Sequence, residues 1–152
     1  MPCIRPMIEA DLDAVLVIEQ ACFSRGWSRV HFQAELASER AICVVLEQDG
    51  QVVGYLCLTV LLDEAEILNV AVDPARQRCG IGNGLLQWAC DQAVRQGATV
   101  LRLEVRSTSQ PAIALYHRWG FRQTGLRKAY YEDKIDAVLM DKKLMEEDVD
   151  AV

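Results

Sequence analysis

Residues 69–86 read NVAVDPARQRCGIGNGLL, and this stretch decides the fold. Its first residues are apolar and β-branched, as in a strand, and an Asp-Pro pair then turns the chain. Gly80, Gly82 and Gly84 open an amphipathic helix that begins at Ile81. The first amides of a helix lack partners within it, and glycine has no Cβ to keep an anion from them. The stretch therefore predicts a strand, loop and helix that bind a phosphate-bearing cofactor.

Two better-known glycine motifs do not fit this loop. A dinucleotide-binding fingerprint follows its first strand directly, whereas residues 73–79 intervene here and the glycine spacing differs. A Walker loop needs Gly-Lys-Ser/Thr at its end, and residues 84–86 are Gly-Leu-Leu. A helix start whose small residues only allow close packing remains an alternative. Arg76 and Arg78, just ahead of the exposed amides, favour anion binding.

Length and composition predict one globular domain. Of 152 residues 51% are hydrophobic and 25% charged, so we expect a single domain over residues 1–144 and a solvated acidic tail over 145–152. The net charge of −6 disfavours direct binding of nucleic acid or anionic membrane and suits a basic partner. The start has no signal-peptide pattern and no apolar run spans a bilayer, so we expect a cytoplasmic protein.

The six cysteines are scattered along the chain. They form no C-x-x-C pair and have no nearby histidine cluster, so we expect reduced thiols and no metal site. Cys43 and Cys57 lie in apolar runs and are expected in the core, whereas Cys79 lies in the glycine loop and is expected to be exposed.

Hydrophobic periodicity predicts the order β, α, α, three strands, α, β, α, two strands, which is an α/β fold with a mixed sheet flanked by helices. The predicted strands cover 3–7, 41–47, 51–62, 64–72, 100–105, 121–128 and 135–142, and the predicted helices cover 9–21, a short segment after Ser28, 81–96 and 111–119.

Turn and capping residues support these boundaries. The sequence Gln48-Asp49-Gly50 predicts a hairpin between the second and third strands. Ser28 and Ser109 precede predicted helices, which their side chains are suited to cap. Gly97 and Gly120 are expected to end the two later helices.

The element order and the sequence QRCGIG at 77–82 resemble those of the GCN5-related N-acetyltransferases (GNAT), whose signature is Arg/Gln-x-x-Gly-x-Gly/Ala. The resemblance covers roughly residues 3–144. Several segments are also similar to the bacterial ribosomal-protein-alanine N-acetyltransferases, the RimI-type subgroup. They are DEAEILNVAVDP at 63–74, LEVR at 103–106, AIALYHRWGF at 112–121, the tyrosine pair at 130–131 and FSRGWS at 23–28.

The resemblance implies a mostly antiparallel sheet and acetyl-CoA as the cosubstrate, with no metal. It places the pantetheine arm along the backbone of Val70, Ala71 and Val72, a strand edge that can pair with amides. It places the pyrophosphate at the amides of Arg78, Cys79, Gly80, Gly82, Asn83 and Gly84. Many relatives carry a basic residue in place of Asn83 and an asparagine in place of Ser109, a further cofactor position. Both substitutions keep a hydrogen-bonding group, so we expect an active enzyme.

Glu104 is the candidate general base. It interrupts the apolar run 101–105, where a carboxylate is costly to desolvate unless water or a cation faces it. A buried but hydrated carboxylate can accept a proton from an ammonium group. An outward-facing residue paired with Arg102 or Arg106 is the alternative from spacing alone, and the family resemblance favours the base.

Tyr116 is the candidate general acid. An aromatic residue in an Ala-Leu-Tyr run is more often a core residue, and the resemblance favours the catalytic role. A tyrosine with a pKa near 10 can protonate a thiolate whose thiol titrates near 8.5, at a cost of about 2 kcal/mol.

The acceptor is expected to be a protein N-terminus. An α-amino group titrates near 8 and a lysine near 10.4, so a modest carboxylate base is better matched to the former. Trp27, Tyr130 and Tyr131 are candidate substrate-binding residues at the entrance, with loop packing as the alternative. Glu64, Glu66 and Glu132 could attract a basic peptide or simply be solvated.

The sequence thus predicts an acetyl-CoA-dependent N-α-acetyltransferase that transfers the acetyl group directly in a ternary complex. The resemblance points to the N-terminal alanine of a ribosomal protein as the acceptor. We expect a monomer or weak homodimer. The alternatives are a GNAT enzyme that acetylates a small amine, and a non-catalytic acyl-CoA-binding module.

Overall fold

A computed structural model describes residues 2–77, 79–131 and 133–145. Its α-helices are α1 (Leu12–Cys22), α2 (Arg29–Ala37), α3 (Ile81–Arg95) and α4 (Gln110–Arg118). Its strands are β1 (Cys3–Pro6), β2 (Ala41–Gln48), β3 (Gln51–Leu61), β4 (Glu64–Val72), β5 (Val100–Arg106), β6 (Arg122–Arg127) and β7 (Ala137–Lys143). The predicted element order is confirmed, while the tail predicted at 145–152 lies outside the described residues from Glu146 onward.

The first helix begins later than predicted. Residues Glu9–Asp11 form a 3₁₀ turn before α1, because the Asp11 carboxylate accepts a hydrogen bond from Ile8 N at 2.8 Å and a bidentate pair from Arg5. The Arg5 guanidinium also lowers the pKa of Asp11, so the turn is held by a charged contact.

The seven strands form one sheet in the order β1-β2-β3-β4-β5-β7-β6. Every pairing is antiparallel except that of β4 with β5, so the predicted mixed, mostly antiparallel sheet is confirmed. A bulge at Leu68 shifts the register between β3 and β4. The parallel pairing runs only from Glu64–Val100 to Ile67–Leu103, so β4 and β5 separate beyond these residues.

Each face of the sheet carries its own apolar cluster. Under α3 and α4, Leu101, Leu103 and Val105 of β5 pack with the buried side chains of α3. Under α1 and α2, Tyr55 of β3 packs with Phe32 of α2. Fully burying a side chain of this kind contributes about 1.5–3 kcal/mol, so the two clusters hold the helices on their sides of the opening between β4 and β5.

Most of the predicted turns are confirmed. Asp49 and Gly50 have φ of 54° and 77°, the positive values of a type I′ hairpin turn. Gly97 and Gly120 have φ of 88° and 91° where α3 and α4 end. The Ser28 side chain caps α2 by accepting from the backbone N–H of the third helical residue at 3.2 Å.

The prediction that the Ser109 side chain caps α4 is wrong. Ser109 occupies the N-cap position and its carbonyl accepts from Ile113 N at 3.0 Å, but its side chain makes no capping hydrogen bond. The prediction for the cysteines is confirmed, since Cys43 and Cys57 are buried and Cys79 is exposed. All six cysteines lie in described residues, and no disulfide joins them. None of the described helices is both long and apolar enough to cross a membrane.

Candidate active site

The opening between β4 and β5 exposes backbone groups. Asp73 N donates to Val53 O at 2.8 Å, and Ala71 pairs with Tyr55 in the same ladder. Because backbone groups alternate along a strand, Ala71 directs its N–H and C=O toward β3, while Val70 and Val72 direct theirs toward the opening. The expectation that the Ala71 backbone pairs with pantetheine therefore disagrees with this geometry, since those groups already bond to β3.

The Val72 carbonyl is also partly engaged. It accepts from Cys22 Sγ at 3.3 Å and from Gln77 Nε2 at 3.4 Å. These contacts tie the end of α1 and the loop before α3 to the end of β4. The groups that remain available along the opening are the Val72 N–H and the backbone of Val70.

The start of α3 offers the unpaired amides that the glycine spacing predicts. Gly80 is the N-cap with φ of 80°, a left-handed conformation that favours glycine. Gly84 N donates to Gly80 O at 3.0 Å, which is the first hydrogen bond within the helix. The Gly84 amide is therefore not available to a pyrophosphate, and the open amides are those of Gly80, Ile81, Gly82 and Asn83. Arg78 lies outside the described residues.

Close packing does not explain the two later glycines. A Cβ on Gly82 would approach Leu115 Cδ2 to 3.8 Å and Val72 Cγ2 to 3.9 Å, and one on Gly84 would approach Leu46 Cδ1 to 3.9 Å. These are ordinary van der Waals distances, so alanine fits at both positions. The packing alternative therefore loses its support here.

Asn83 joins α3 to α4. Its Oδ1 accepts from Trp119 Nε1 at 2.8 Å, and Leu115 of α4 adjoins the start of α3 at Gly82. The Asn83 side chain thus connects the start of α3 to the end of α4. Ser109 lies at the other end of α4, at the exit of β5.

Glu104 lies where β4 and β5 part. It follows Leu103, the last residue of β5 that pairs with β4, and it points to the α1 and α2 face because its two neighbours pack under α3 and α4. Its carboxylate oxygen is 3.6 Å from Arg127 Nε, and its side chain is 25% exposed. Glu104 is therefore half-buried, next to one cation and open to water.

The alternative partners proposed for Glu104 bind elsewhere. Arg102 pairs with Glu64 at 3.0 Å and with Asp141 at 3.4 Å, and Arg106 pairs with Asp133. The alternative that pairs Glu104 with either arginine is therefore wrong. Its actual partner, Arg127, comes from β6, which is not adjacent to β5 in the sheet.

Two further ionisable groups face Glu104. Burial, and then the Glu104 charge, raise the pKa of Glu66, and the same two causes raise the pKa of Tyr131. Two carboxylates and a phenol therefore share a half-buried, acidic site on this face. Such a site attracts a cation such as an ammonium group.

Tyr116 lies on the other face of the sheet. It is 8% exposed, belongs to the cluster under α3 and α4, and packs edge-on against Phe121 at 5.7 Å. Burial raises the pKa of Tyr116 to about 12. Protonation of a thiolate whose thiol titrates near 8.5 then costs about 5 kcal/mol. Glu104 and Tyr116 thus lie on opposite faces of the sheet, and α4 brings the tyrosine to the α3 side.

The predicted substrate-binding aromatics belong to two loops. Tyr130 and Tyr131 contact each other at 5.2 Å, with Arg127 over the first ring at 5.2 Å and Arg106 over the second at 4.4 Å. These cation–π contacts fix the loop beside Glu104. Trp27 stacks on a histidine of α2 at 3.8 Å and belongs to the cluster on the Glu104 face. Glu132 lies outside the described residues.

Glu19 was missed in the sequence. It is 2% exposed and accepts hydrogen bonds from Tyr55 Oη, from Asn69 Nδ2 at 2.9 Å and from Trp27 N at 2.9 Å. The sequence does contain a signal for its burial, because Glu19 lies seven residues after Leu12 and four after Val15, on the apolar stripe of α1. A carboxylate on a buried stripe needs partners of its own.

Comparison with known proteins gives matches over nearly the whole chain. A [ribosomal protein bS18]-alanine N-acetyltransferase of Escherichia coli strain K12 is 37% identical over 143 residues, 92% of this chain and 96% of that protein. A Bacillus subtilis strain 168 protein, described as a putative enzyme of the same name, is 34% identical over 139 residues, 90% and 92% of the two chains. The crystal structure of the Escherichia coli ribosomal-protein-S18-alanine N-acetyltransferase has a TM-score of 0.87 at 36% identity and covers 95% of this chain and 94% of that one.

The sequence profile of the acetyltransferase (GNAT) family matches residues 12–121. This range runs from the start of α1 to Phe121, just after α4, and it includes the opening between β4 and β5, the start of α3 and Glu104. The protein is an N-acetyltransferase, and its family uses acetyl-CoA. On these matches and this fold, the chain belongs to the acetyltransferase (GNAT) family.

Proposed function

We propose that this protein transfers the acetyl group of acetyl-CoA to the N-terminal α-amino group of a ribosomal protein that begins with alanine. The observation that carries the proposal is the position of Glu104, at the point where β4 and β5 part and beside a second carboxylate. Relatives that are 34–37% identical over nearly the whole chain bear the name of this activity. Transfer is direct, within a ternary complex.

The cofactor is proposed to lie along the opening and over the start of α3. The backbone of Val70 and the Val72 N–H would bind the pantetheine arm, and the first-turn amides of α3 would bind the pyrophosphate. The first four amides of α3, from Gly80 to Asn83, have no partner within the helix, which supports this placement. Arg78, Cys79 and Ser109 complete the proposed cofactor set.

Glu104 is proposed to take the proton from the acceptor. Bound acetyl-CoA supplies an activated thioester carbonyl, and the amine must be neutral to attack it. A carboxylate that is half-buried but open to water can take the ammonium proton directly or through one water. The Arg127 contact at 3.6 Å holds the carboxylate in place without a short hydrogen bond.

Tyr116 is proposed to protonate the leaving thiolate. Its burial on the α3 and α4 face keeps the phenol protonated, since its pKa is about 12. The cost of about 5 kcal/mol for this proton transfer is lower when the phenol already hydrogen-bonds the sulfur as negative charge develops.

The acceptor is proposed to enter between Trp27 on one side and Tyr130 and Tyr131 on the other. Tyr131 borders the acidic site and contacts Tyr130, and Trp27 belongs to the apolar cluster on the same face of the sheet. Tyr130 is 49% exposed, so its ring surface is available to a peptide. The net charge of −6 favours a basic protein as the acceptor.

The test is an acetylation assay with mass-spectrometric detection. The protein, acetyl-CoA and a basic peptide that begins with alanine should give one added acetyl group at the α-amine. The same peptide with a blocked N-terminus but free lysines should give none. Transfer to a polyamine in preference to the peptide, or no transfer to any amine, would refute the proposed acceptor.

A further inference from the structure

The Glu19 side chain makes one of the few buried polar clusters among the described residues. The carboxylate belongs to α1, is almost fully buried, and receives a hydrogen bond on each oxygen. All three donors point toward it: the Tyr55 hydroxyl, the Asn69 side-chain amide and the Trp27 backbone N–H. Burial, and then the hydrogen bond to Glu19, raise the pKa of Tyr55, so its hydroxyl remains a neutral donor.

Two of these donors belong to different walls of the proposed site. Asn69 follows the Leu68 bulge, at the start of the part of β4 that borders the opening. Trp27 lies in the loop between α1 and α2, on the side proposed to receive the acceptor. The carboxylate of Glu19 therefore joins that loop to β4.

The loop is closely fitted to this carboxylate. A Cβ added to Gly26, the residue before Trp27, would lie 2.6 Å from Glu19 Cγ and 2.9 Å from its Oε2. Only a residue without a side chain lets the Trp27 N–H approach to 2.9 Å. The loop position is thus fixed by the close packing of Gly26 on the Glu19 side chain and by the hydrogen bond from Trp27 N.

We propose that Glu19 is a positioning residue for the acceptor, whose carboxylate sets the distance between the Trp27 loop and β4. This inference rests on the proposed function in one respect, that the acceptor binds beside Trp27. Glu19 itself does not contact substrate. Its loss displaces one wall of the acceptor site and leaves the amides of α3 in place.

The test compares three variants by steady-state kinetics and by amide hydrogen exchange. Glu19→Met keeps the volume of the side chain but removes the oxygens that accept the three hydrogen bonds. The KM for the alanine-starting peptide should therefore rise about tenfold or more, while the KM for acetyl-CoA stays within about threefold of wild type. Exchange of the Trp27 amide should accelerate. Glu19→Gln keeps one oxygen that accepts from Trp27 N. Its NH₂ group can donate to the Tyr55 hydroxyl oxygen and, after the Asn69 amide rotates, to the Asn69 side-chain oxygen. The peptide KM of this variant should therefore stay within about threefold of wild type.

Tyr55→Phe is the matched control, because it removes a hydrogen-bond donor that belongs to neither wall of the site. Both KM values of this variant should stay within about threefold of wild type.

The proposal is overturned if Glu19→Met leaves the peptide KM or the exchange rate of the Trp27 amide unchanged, if both KM values rise together, or if Glu19→Gln is as impaired as Glu19→Met. Should Glu19→Met not fold, Glu19→Asp, which is too short to reach both walls, takes its place with the same expectations. A wild-type protein that acetylates no peptide refutes the proposed function instead, and the exchange experiment still tests the contact.

Discussion

At the residue scale, the acceptor side of the site contains two carboxylates, Glu104 and Glu66, and one nearby cation, Arg127. Glu104 and Glu66 repel each other, and Arg127 lies between Glu104 and the ring of Tyr130. Both carboxylates are only half-buried, so water still reaches them and lowers the free-energy cost of placing two negative charges close together. An incoming ammonium group adds a positive charge where two negative ones already lie.

Glu104→Gln should lower kcat by about 10²–10⁴-fold, because it removes the proposed proton acceptor and keeps the shape of the side chain. Titration calorimetry should give a nearly unchanged acetyl-CoA affinity. Glu64→Gln is the control, since Glu64 pairs with Arg102 at the far end of β4 and should keep nearly full activity. A Glu104→Gln enzyme with wild-type kcat would exclude Glu104 as the base.

Glu66→Gln should stabilise the fold at neutral pH. The pKa of Glu66 is raised in the folded protein by burial and by Glu104, so the folded state binds its proton more tightly than the unfolded chain does. The contribution of protonated Glu66 to the free energy of unfolding is fully present below the ordinary pKa of 4.5. It is lost as the pH rises through the higher pKa that Glu66 has in the folded protein. Because the side chain is only half-buried and water screens its charge, the gain at pH 7 should stay below about 1 kcal/mol, or about 3 °C in Tm. Melting curves of the wild type and of Glu66→Gln at pH 4 and pH 7 test this prediction. An equal increase in Tm at both pH values would contradict it.

At the element scale, the start of α3 was the part best predicted from sequence. The glycine spacing and the apolar stripe placed its first residue correctly, because both are local patterns. The occupied Gly84 amide and the Trp119 contact of Asn83 were not predicted, since each depends on how the chain closes on itself. The same holds for Glu19, whose partners come from β3, β4 and a loop.

Two glycines of this element should respond in opposite ways to alanine. Gly84→Ala should stabilise the protein by about 0.5–1 kcal/mol and leave acetyl-CoA affinity unchanged, because its amide is already bonded and its Cβ has room. Gly80→Ala should destabilise it by about 1–2 kcal/mol, because φ is 80° there. Denaturant unfolding measures both changes. A destabilised Gly84→Ala variant would show that the space above this residue is smaller than the structure has it.

At the scale of the whole molecule, the site exists because the sheet opens in its middle. Sequence patterns predicted the strands on both sides of the opening, and the resemblance placed Glu104 beside it. The end of the parallel pairing at Ile67 and Leu103 could not be predicted, because it depends on the register between β4 and β5, which are separated in the chain by α3. The bulge at Leu68, between the consecutive strands β3 and β4, was not predicted either. The partner of Glu104 was missed for the same reason, since Arg127 reaches it from β6.

The net charge of the molecule should make acceptor capture depend on salt. With a charge of −6 and two carboxylates in the acceptor site, kcat/KM for a basic alanine-starting peptide should fall several-fold between about 50 and 500 mM salt. An alanine-starting peptide of the same length without lysine or arginine should show a much weaker dependence, because only its α-amine carries positive charge. Equal salt dependence for the two peptides would mean that the acidic surface does not attract the acceptor beyond its first residue, and that Glu66 and Glu104 act on the α-amine alone.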